Sequence, residues 1–331
     1  MKAPRFWWTK HSLSGFLLAP LGRLYGSISS RRMNAAGKAV RLPVICVGNL
    51  VAGGAGKTPT AMMIATLLKA GGYKPVFLTR GYRGNERGPL RVDLQRHSAR
   101  DVGDEAPLLA RVAPTIVAQD RVAGAALAAS FGNVIVMDDG LQNPSLQKDF
   151  SIAVIDSGQG IGNGRVIPAG PLRAPLDVQL PHIDVCMLIG DDETRGVEYQ
   201  KRIDKPVYRG RLVPNNSQIG HLQGLRVLAF AGIGRPEKFF DTLKTTGAIL
   251  AATEAFPDHH VYTTEDLQKL VAAADANQLK LITTAKDAAR IAAIAPETAA
   301  RIEILDIRLD CSEAMTFMGK LVACIEAKAV R

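Results

Sequence analysis

Residues 42–60 read LPVICVGNLVAGGAGKTPT, and this stretch decides the fold of the chain. Its first part, 42–50, is a nearly continuous apolar run, which is typical of a parallel strand buried on both faces. A glycine-rich loop, a Gly-Lys-Thr triplet and a helical pattern over 60–70 follow directly. A strand, a glycine loop and a helix in this order are typical of a phosphate-binding loop. The stretch therefore predicts an α/β protein with a phosphate-loop NTPase-like core.

Each part of the loop has an expected role in binding ATP. Backbone N–H groups of the loop would surround phosphate oxygens at the positive end of the helix dipole. Lys57 would reach the β- and γ-phosphates, and Thr58 would offer its hydroxyl to Mg²⁺. Val51 stands where the usual spacing has a first glycine, and a plain glycine turn is the alternative interpretation. The residues expected to surround the phosphates are Gly53, Gly54, Ala55 and Gly56.

A second apolar run, NVIVM at 133–137, ends in Asp138 and Asp139. A carboxylate at the end of a strand beside a phosphate loop is a usual ligand of Mg²⁺. We therefore expect both aspartates to contribute to a metal site. Because neighbouring side chains on a strand point to opposite faces, the two are expected to have different roles. A simple Asp-Asp-Gly turn is the alternative.

Strand-like and helical segments alternate along the chain, which predicts a parallel sheet covered by helices. Strands are expected at 43–49, 75–79, 115–118, 133–138 and 151–155, and again at 225–232, 249–253, 280–284 and 302–307. We expect a phosphate-loop core over 29–205, a linker over 206–222 within a polar stretch at 191–222, and a smaller α/β domain over 223–310. A last helix, over 311–331, is expected to pack on the core.

Charge is distributed unevenly over the 331 residues. The chain has 41 Lys or Arg and 31 Asp or Glu, yet residues 1–85 contain thirteen of the cations and no acid. The positive charge of this N-terminal region favours an anionic partner, such as a phosphorylated substrate, an anionic lipid surface or nucleic acid. Four widely spaced cysteines favour a reducing compartment over a disulfide scaffold. No window approaches the roughly 20 apolar residues of a membrane-spanning helix.

The first 28 residues predict an amphipathic helix. Aromatic residues and cations flank its apolar stripe, a combination that suits the headgroup layer of an anionic membrane. The alternative is a helix packed on the protein's own core, and a signal peptide is disfavoured because no clean cleavage site follows. The stripe recurs at three- and four-residue spacing and consists of Leu13, Phe16, Leu17, Pro20, Leu21 and Leu24.

Several further motifs, taken together, resemble the tetraacyldisaccharide 4′-kinase family, the lipid A 4′-kinases of Gram-negative bacteria. They are VGNL at 47–50, TRGYRG at 79–84, VGDEAP at 102–107, DDGLQ at 138–142, GNGR at 162–165, PAGPLR at 168–173 and FPDHH at 256–260. The resemblance runs from about residue 5 to 310 in unchanged order. It implies transfer of the γ-phosphate of ATP, with Mg²⁺, to the 4′-hydroxyl of a tetraacylated glucosamine disaccharide 1-phosphate. It also implies a peripheral enzyme at the cytoplasmic face of the inner membrane.

The resemblance also implies site residues. Asp104 matches the carboxylate of the family's catalytic pair, and His259 matches its histidine, with His260 as the neighbouring rival. A carboxylate can accept the proton of the attacking hydroxyl, and a histidine can orient it. From the sequence alone, Asp104 could equally cap the helix expected over 105–112. Arg173 matches a family arginine, and with Arg80 it is expected to contact phosphate or substrate through a bidentate fork.

The chain departs from the family pattern at three positions. Asn143 stands where the family has a histidine, Ala174 where it has a glutamate, and Ala285 replaces the glutamate of Thr-Thr-Glu-Lys-Asp. A regulatory phosphate-loop ATPase or GTPase is the alternative function, although the guanine-specific Asn/Thr-Lys-x-Asp spacing fails at 284–287. A nucleic-acid-binding protein is disfavoured, because the aromatic residues cluster in the amphipathic stretch rather than among basic residues of a binding surface.

Overall fold

The computed structural model describes residues 3–190 and 203–329. Part of the polar stretch, 191–202, lies outside the described residues. The larger unit is built on a nine-stranded sheet, in the order β13-β8-β7-β6-β1-β5-β2-β4-β3. All neighbouring strands are parallel except the pairs β13–β8 and β3–β4 at the two edges. The strands are β1 Val44–Asn49, β2 Pro75–Thr79, β3 Leu90–Arg91, β4 Thr115–Val117, β5 Val134–Asp138, β6 Phe150–Asp156, β7 Val185–Ile189, β8 Val207–Pro214 and β13 Ile307–Cys311.

Helices cover both faces of this sheet, so its central strands are apolar throughout. In β1, Ile45 and Val47 pack into a cluster on one face, whereas Val44 and Cys46 pack into a cluster on the other. The five strands expected in the first half of the chain are confirmed. The helices of this unit are α3 Lys57–Ala70, α4 Ala99–Val102, α5 Ala106–Ala110, α6 Arg121–Ala128, α7 Leu176–Gln179 and α13 Ala314–Ala329.

The smaller unit is a four-stranded parallel sheet in the order β10-β9-β11-β12. Its strands follow the sequence prediction, although the last strand ends at Leu305. Its strands are β9 Arg226–Ala231, β10 Ile249–Ala255, β11 Lys280–Thr284 and β12 Glu303–Leu305. Its helices are α8 Asn216–Leu222, α9 Pro236–Lys244, α10 Thr264–Ala276, α11 Ala285–Ala292 and α12 Pro296–Ala299.

The connection between the units differs from the sequence prediction. The segment 206–222, expected as a linker, is divided between the two units. Its first part is β8, which pairs with β7 and β13, and its second part is α8, whose Leu222 lies in the core of the small unit. Strand β13, expected in the small domain, joins the large sheet because Leu309 and Cys311 pack in the same apolar cluster as Tyr208 of β8. The small unit is therefore an insertion between two adjacent strands of the large sheet.

The N-terminal segment contains a 3₁₀ turn, Arg5–Trp8, and two helices, α1 Leu13–Leu17 and α2 Ala19–Met33. Helix α2 passes the boundary expected at residue 28. It packs through glycines, and a Cβ added at Gly22 would lie 2.9 Å from the carbonyl oxygen of Val166. The half-buried Trp7 donates its indole N–H to the carbonyl of Pro168, at 3.0 Å.

The large apolar side chains of the stripe on α1 and α2 are exposed to solvent. Phe16 and Leu17 are each 67% exposed, and Leu13, Leu21 and Leu24 are exposed as well. The alternative that this stripe packs on the protein's own core is therefore wrong. In the part of the chain that the structure describes, no helix is long and apolar enough to cross a bilayer.

Helix α13 packs on the core, as expected. Phe317, Leu321 and Ile325 are buried in the cluster that also holds Ile64 of α3, and the Phe317 ring meets Tyr208 edge-on at 5.0 Å between centroids.

We predict that Phe317→Ala lowers the free energy of unfolding by about 3–5 kcal/mol, because it leaves a cavity in the largest apolar cluster. Urea denaturation followed by circular dichroism measures the change. Met315→Ala, on the same helix at an 81% exposed position, is the control and should change stability by less than about 0.5 kcal/mol. Equal effects of the two substitutions would contradict the placement of α13.

Candidate active site

The phosphate loop joins β1 to α3 at the carboxyl edge of the large sheet. Gly56 precedes α3 with φ +90°, and a Cβ there would lie 2.6 Å from Cδ1 of Ile189, so only glycine fits. Side chains added at Gly53 or Gly54 would meet nothing within 4 Å, which leaves the loop bordering open space. Lys57 is buried, and its Nζ lies 3.4 Å from the carbonyl oxygen of Gly53. The loop therefore has the open backbone and the buried cation that a phosphate site needs.

Val51, which replaces the usual first glycine, is buried and pairs with Leu172 in an isolated antiparallel bridge. Its carbonyl accepts a hydrogen bond from Nε of Arg173, at 3.2 Å. A β-bridge conformation suits a branched residue, so the departure leaves the rest of the loop unchanged.

Thr58 and Asp138 meet at the inner end of the loop. The Thr58 hydroxyl donates to Oδ2 of Asp138 at 3.3 Å. Asp138 is 1% exposed, and its Oδ1 has no hydrogen-bond partner. Burial, together with the carboxylates of Glu105 and Asp139, raises the pKa of Asp138 to about 7. A buried carboxylate with an unpaired oxygen is costly unless a cation compensates it. The donor set thus fits a cation such as Mg²⁺.

The described residues contain no cluster of three or more His, Cys, Asp or Glu side chains that could hold a metal. In proteins, Mg²⁺ is usually held by one or two protein oxygens together with substrate phosphates and water. The buried Oδ1 of Asn49, at the end of β1, is a second oxygen without a partner in this region.

Asp139 was also expected at the metal, but it is paired with two cations instead. Its φ of +53° turns it away from the strand direction. Arg173 donates to its two oxygens at 3.0 and 3.4 Å, and Nζ of Lys57 lies 3.8 Å from Oδ1. Although burial acts to raise the pKa of Asp139, Lys57 and Arg173 hold it below its ordinary value. In this structure Asp139 therefore orients the two cations expected to contact phosphate.

Asp104 and His259 come together although 155 residues separate them. Nδ1 of His259 lies 3.2 Å from Oδ2 of Asp104. Arg290 donates to the same oxygen through Nε, at 2.9 Å, and through Nη2. Burial acts to raise the pKa of Asp104, but the hydrogen bond with His259 and the charge of Arg290 hold it well below its usual range. Helix α5 has no side-chain cap, so the helix-cap alternative for Asp104 is wrong.

The geometry also separates the two neighbouring histidines. Nε2 of His260 lies 3.0 Å from Oδ2 of Asp266, and the ring stacks on Phe256. His259 instead has φ +56°, which turns its ring toward Asp104 in the larger unit. Arg83 supports this conformation by donating to the backbone carbonyl of His259 at 3.0 Å.

Three further ion pairs join the units. Nζ of Lys286 lies 2.5 Å from Oε1 of Glu105, and the charge of Lys286 lowers the pKa of Glu105. Asp156, at the end of β6, is buried and accepts from Arg235 at 3.0 Å and from Lys238. The small unit is therefore held against the large sheet by these ion pairs in addition to the contacts of Asp104 with His259 and Arg290.

Comparison with known proteins identifies the family. The model of the tetraacyldisaccharide-1-P 4′-kinase family matches residues 14–325. The chain belongs to this family. A relative from Methylobacterium nodulans, named tetraacyldisaccharide 4′-kinase, is 54% identical over 95% of this chain and 93% of its own length. A second, from Methylobacterium sp. strain 4-46 and with the same name, is 49% identical over 99% of both chains.

A solved structure agrees with the fold. The crystal structure described as an "apo" form of LpxK from Aquifex aeolicus in complex with ATP superimposes with a TM-score of 0.71. It covers 94% of this chain and 99% of its own, at 24% sequence identity. The α/β fold predicted from the phosphate loop is thus confirmed for this 4′-kinase family member.

The three departures from the family pattern have local explanations. Asn143 accepts from the backbone N–H of Ser145 at 2.9 Å and so shapes a turn. Ala174 is fully buried, and its carbonyl accepts from Gln179. Ala285 begins α11, one residue before the Lys286 that pairs with Glu105. None of the three changes the phosphate loop or the Asp104–His259 pair.

Sequence reasoning missed two arginines of this site. Arg290 holds Asp104, and its only signal is its position six residues after Thr284 on an otherwise ordinary helix. Arg121 is 2% exposed, with an Nε that has no partner, and burial together with Arg80 lowers its pKa to about 10. Arg80, expected to contact substrate, is exposed just after β2 and forms no ion pair among the residues that the structure describes.

We predict that Asp138→Asn stabilises the nucleotide-free and metal-free protein. Because its pKa is raised, Asp138 keeps its proton in the folded protein up to about pH 7, whereas the unfolded chain loses it above about pH 4. Asp138 therefore lowers the free energy of unfolding as the pH rises from about 4, and the whole loss is reached above about pH 7. Asparagine cannot ionise and so avoids this loss. The free energy of unfolding should rise by on the order of 1–3 kcal/mol at pH 8 and change by almost nothing at pH 4.

Thermal unfolding in chelator-containing buffer at several pH values measures this effect. Asp139→Asn is the matched control and should destabilise, because it removes the partner of Arg173 and Lys57. If both variants change the stability in the same direction at pH 8, the interpretation of Asp138 as an uncompensated buried carboxylate is wrong.

Proposed function

We propose that this protein is an ATP-dependent lipid kinase of lipid A biosynthesis. It transfers the γ-phosphate of ATP to the 4′-hydroxyl of a tetraacylated glucosamine disaccharide 1-phosphate. One observation carries the proposal. A member of this family combines an open phosphate loop with a carboxylate–histidine pair formed by Asp104 and His259. The relatives named tetraacyldisaccharide 4′-kinase support the same reaction.

The site residues have two tasks, which are to bind the triphosphate and to accept the proton of the attacking hydroxyl. The loop holds the triphosphate through backbone N–H groups, and Lys57 neutralises charge on the transferring phosphoryl group. Asp104 accepts the proton of the attacking hydroxyl, a role worth roughly 10²–10⁴ in rate, and His259 orients it. The contact between Nδ1 and Oδ2 supports this division, since a histidine bound there fixes the plane of the carboxylate.

Mg²⁺ completes the site in this proposal. Thr58 and Asp138 would hold it, because their oxygens lie together and Oδ1 of Asp138 has no protein partner. The ion supplies neutralisation of charge on the β- and γ-phosphate oxygens when bound. Asp139 acts through Lys57 and Arg173 rather than as a ligand.

Arg173 and Arg80 are the proposed contacts to phosphate or substrate. Arg173 is half-buried and already directed by Asp139 and the Val51 carbonyl, so its guanidinium is fixed beside the loop. Arg80 is exposed at the end of β2, next to the strand that supplies Asp138.

The protein is proposed to work at the cytoplasmic face of the bacterial inner membrane as a peripheral enzyme. An exposed apolar stripe on α1 and α2 supports this, since a folded protein rarely leaves such a row of large side chains in water. Arg5, Lys10 and Arg23 flank the stripe and would meet anionic headgroups. A glycolipid substrate is presented at the same surface.

The alternative of a regulatory ATPase or GTPase has no support in the comparisons, since both the family and the named relatives are kinases. The test of function is incubation of the purified protein with ATP, Mg²⁺ and the monophosphorylated tetraacyl disaccharide, followed by mass spectrometry. A product heavier by one phosphate group is expected, and Lys57→Ala should abolish it. ATP hydrolysis without lipid phosphorylation would overturn the proposal.

We predict that Asp104 and His259 act as a unit. Asp104→Ala and His259→Ala should each lower kcat by about 10²-fold or more while changing the affinity for ATP little. The double variant should be little worse than the poorer single variant, because either loss disables the same proton transfer. Steady-state kinetics and calorimetric ATP binding measure both quantities. Multiplicative losses would indicate independent roles.

We predict that the apolar stripe holds the protein on lipid. Phe16→Glu combined with Leu17→Glu should release it from anionic vesicles, because both side chains would otherwise be buried in the headgroup layer. Co-sedimentation measures binding, and the KM for lipid presented in vesicles should rise while that for ATP stays constant. Met315→Glu and Val261→Glu together, at exposed positions away from the stripe, are the control. Unchanged co-sedimentation of the Phe16/Leu17 variant would refute the membrane contact.

A further inference from the structure

The two oxygens of the Asp104 carboxylate have different surroundings. Three donors converge on Oδ2: Nδ1 of His259 at 3.2 Å, Nε of Arg290 at 2.9 Å, and Nη2 of Arg290. No hydrogen bond from the residues that the structure describes reaches Oδ1. An oxygen with three donors has no lone pair left for a substrate, whereas Oδ1 has its full capacity.

Arg290 is itself rigidly held. Its Nη1 donates to the carbonyl of Gly232 at 2.9 Å and to Oδ1 of Asp287 at 2.8 Å. Asp287 is fully buried and accepts from Tyr262 at 3.0 Å and from Thr284 at 2.7 Å. This network spans β9, β11 and α11, so the guanidinium fork is fixed before any substrate arrives.

We propose that Arg290 is a positioning residue of the phosphoryl transfer: by occupying Oδ2 of Asp104 together with His259, it makes Oδ1 the oxygen that accepts the proton of the sugar hydroxyl. The inference rests on the proposed kinase function. In the step, the 4′-oxygen bonds to the γ-phosphorus of ATP and the bond from that phosphorus to the bridging oxygen breaks. ADP leaves with that electron pair, and the hydroxyl proton passes to Oδ1.

Arg290 also sets the charge of the base. The ionisable groups that face Asp104 are His259 from the 256–263 loop, Arg290 and Lys286 from α11, and the adjacent Glu105. With the cations in place the carboxylate stays ionised through the physiological range. Such a weak base suits a loose transition state, in which the hydroxyl loses its proton late.

The test compares Arg290→Gln, Arg290→Lys and a control, Arg301→Gln, which removes an exposed pair with Asp275. Arg290→Gln should lower kcat by about 10²-fold, with the KM for ATP within about twofold of wild type. A loss in kcat at a nearly constant KM for ATP is expected of a positioning residue, whereas a general structural defect would weaken ATP binding as well. The control should match wild type.

Arg290→Lys separates positioning from folding. Lysine keeps the charge beside Asp104 but offers a point donor in place of a planar fork. The kcat should therefore fall by only about 10-fold, which is a partial rescue relative to Arg290→Gln. Circular dichroism and thermal unfolding report the folded fraction of each variant, so a loss of activity can be corrected for unfolding.

Two outcomes would overturn the proposal. One is an Arg290→Gln variant whose activity, corrected for the folded fraction, matches wild type or falls mainly through a raised KM for ATP. The other is an Arg290→Lys variant with the kcat of wild type, which is decisive even where the glutamine variant does not fold. The proposed function fails separately, since in that case wild type itself would not phosphorylate the disaccharide.

Discussion

A carboxylate taken out of water must be compensated by donors or cations, and this requirement organises the whole molecule. Four aspartates are buried among the described residues: Asp104, Asp138, Asp156 and Asp287. Three of them accept hydrogen bonds from an arginine side chain, and two of these draw that arginine from the opposite unit. Asp138 has no cationic donor: it accepts only from the Thr58 hydroxyl, and its Oδ1 has no partner. The site is thus rigid where the protein itself supplies the positive charge. At Asp138 a cation and nucleotide would supply it.

Local patterns account for the part of this architecture that the sequence predicts. The apolar runs that became β1, β2, β4, β5 and β6 are short, continuous and bounded by turn residues, so each could be recognised without knowing its neighbours. The phosphate loop is equally local, since strand, glycines and helix follow one another. Asp104 and His259 are far apart in sequence and were paired through the family resemblance, because spacing carries no information across 155 residues.

The remainder depends on contacts that no local pattern contains. Arg290 lies on a helix whose sequence differs little from any solvent-facing helix, and its role exists only once α11 is brought against Asp104. Asp139 was expected to have a role different from that of Asp138, but its pairing with Arg173 depends on a left-handed backbone conformation that the sequence does not reveal. Strand β8 alternates polar and apolar residues like a surface strand, and it is covered on its outer edge by β13, which lies about a hundred residues later.

The insertion of the small unit has a consequence for the order in which the protein can be built. Residues 307–329 supply an edge strand and a helix that fills the cluster around Ile45, so the larger unit stays incomplete until these residues have been synthesised. The small unit, contained within 216–305, is synthesised earlier and in one piece. The small unit can therefore form before the larger sheet is complete, although N-terminal domains generally fold first during synthesis. The larger unit lacks its edge strand and one covering helix until residues 307–329 follow the inserted unit.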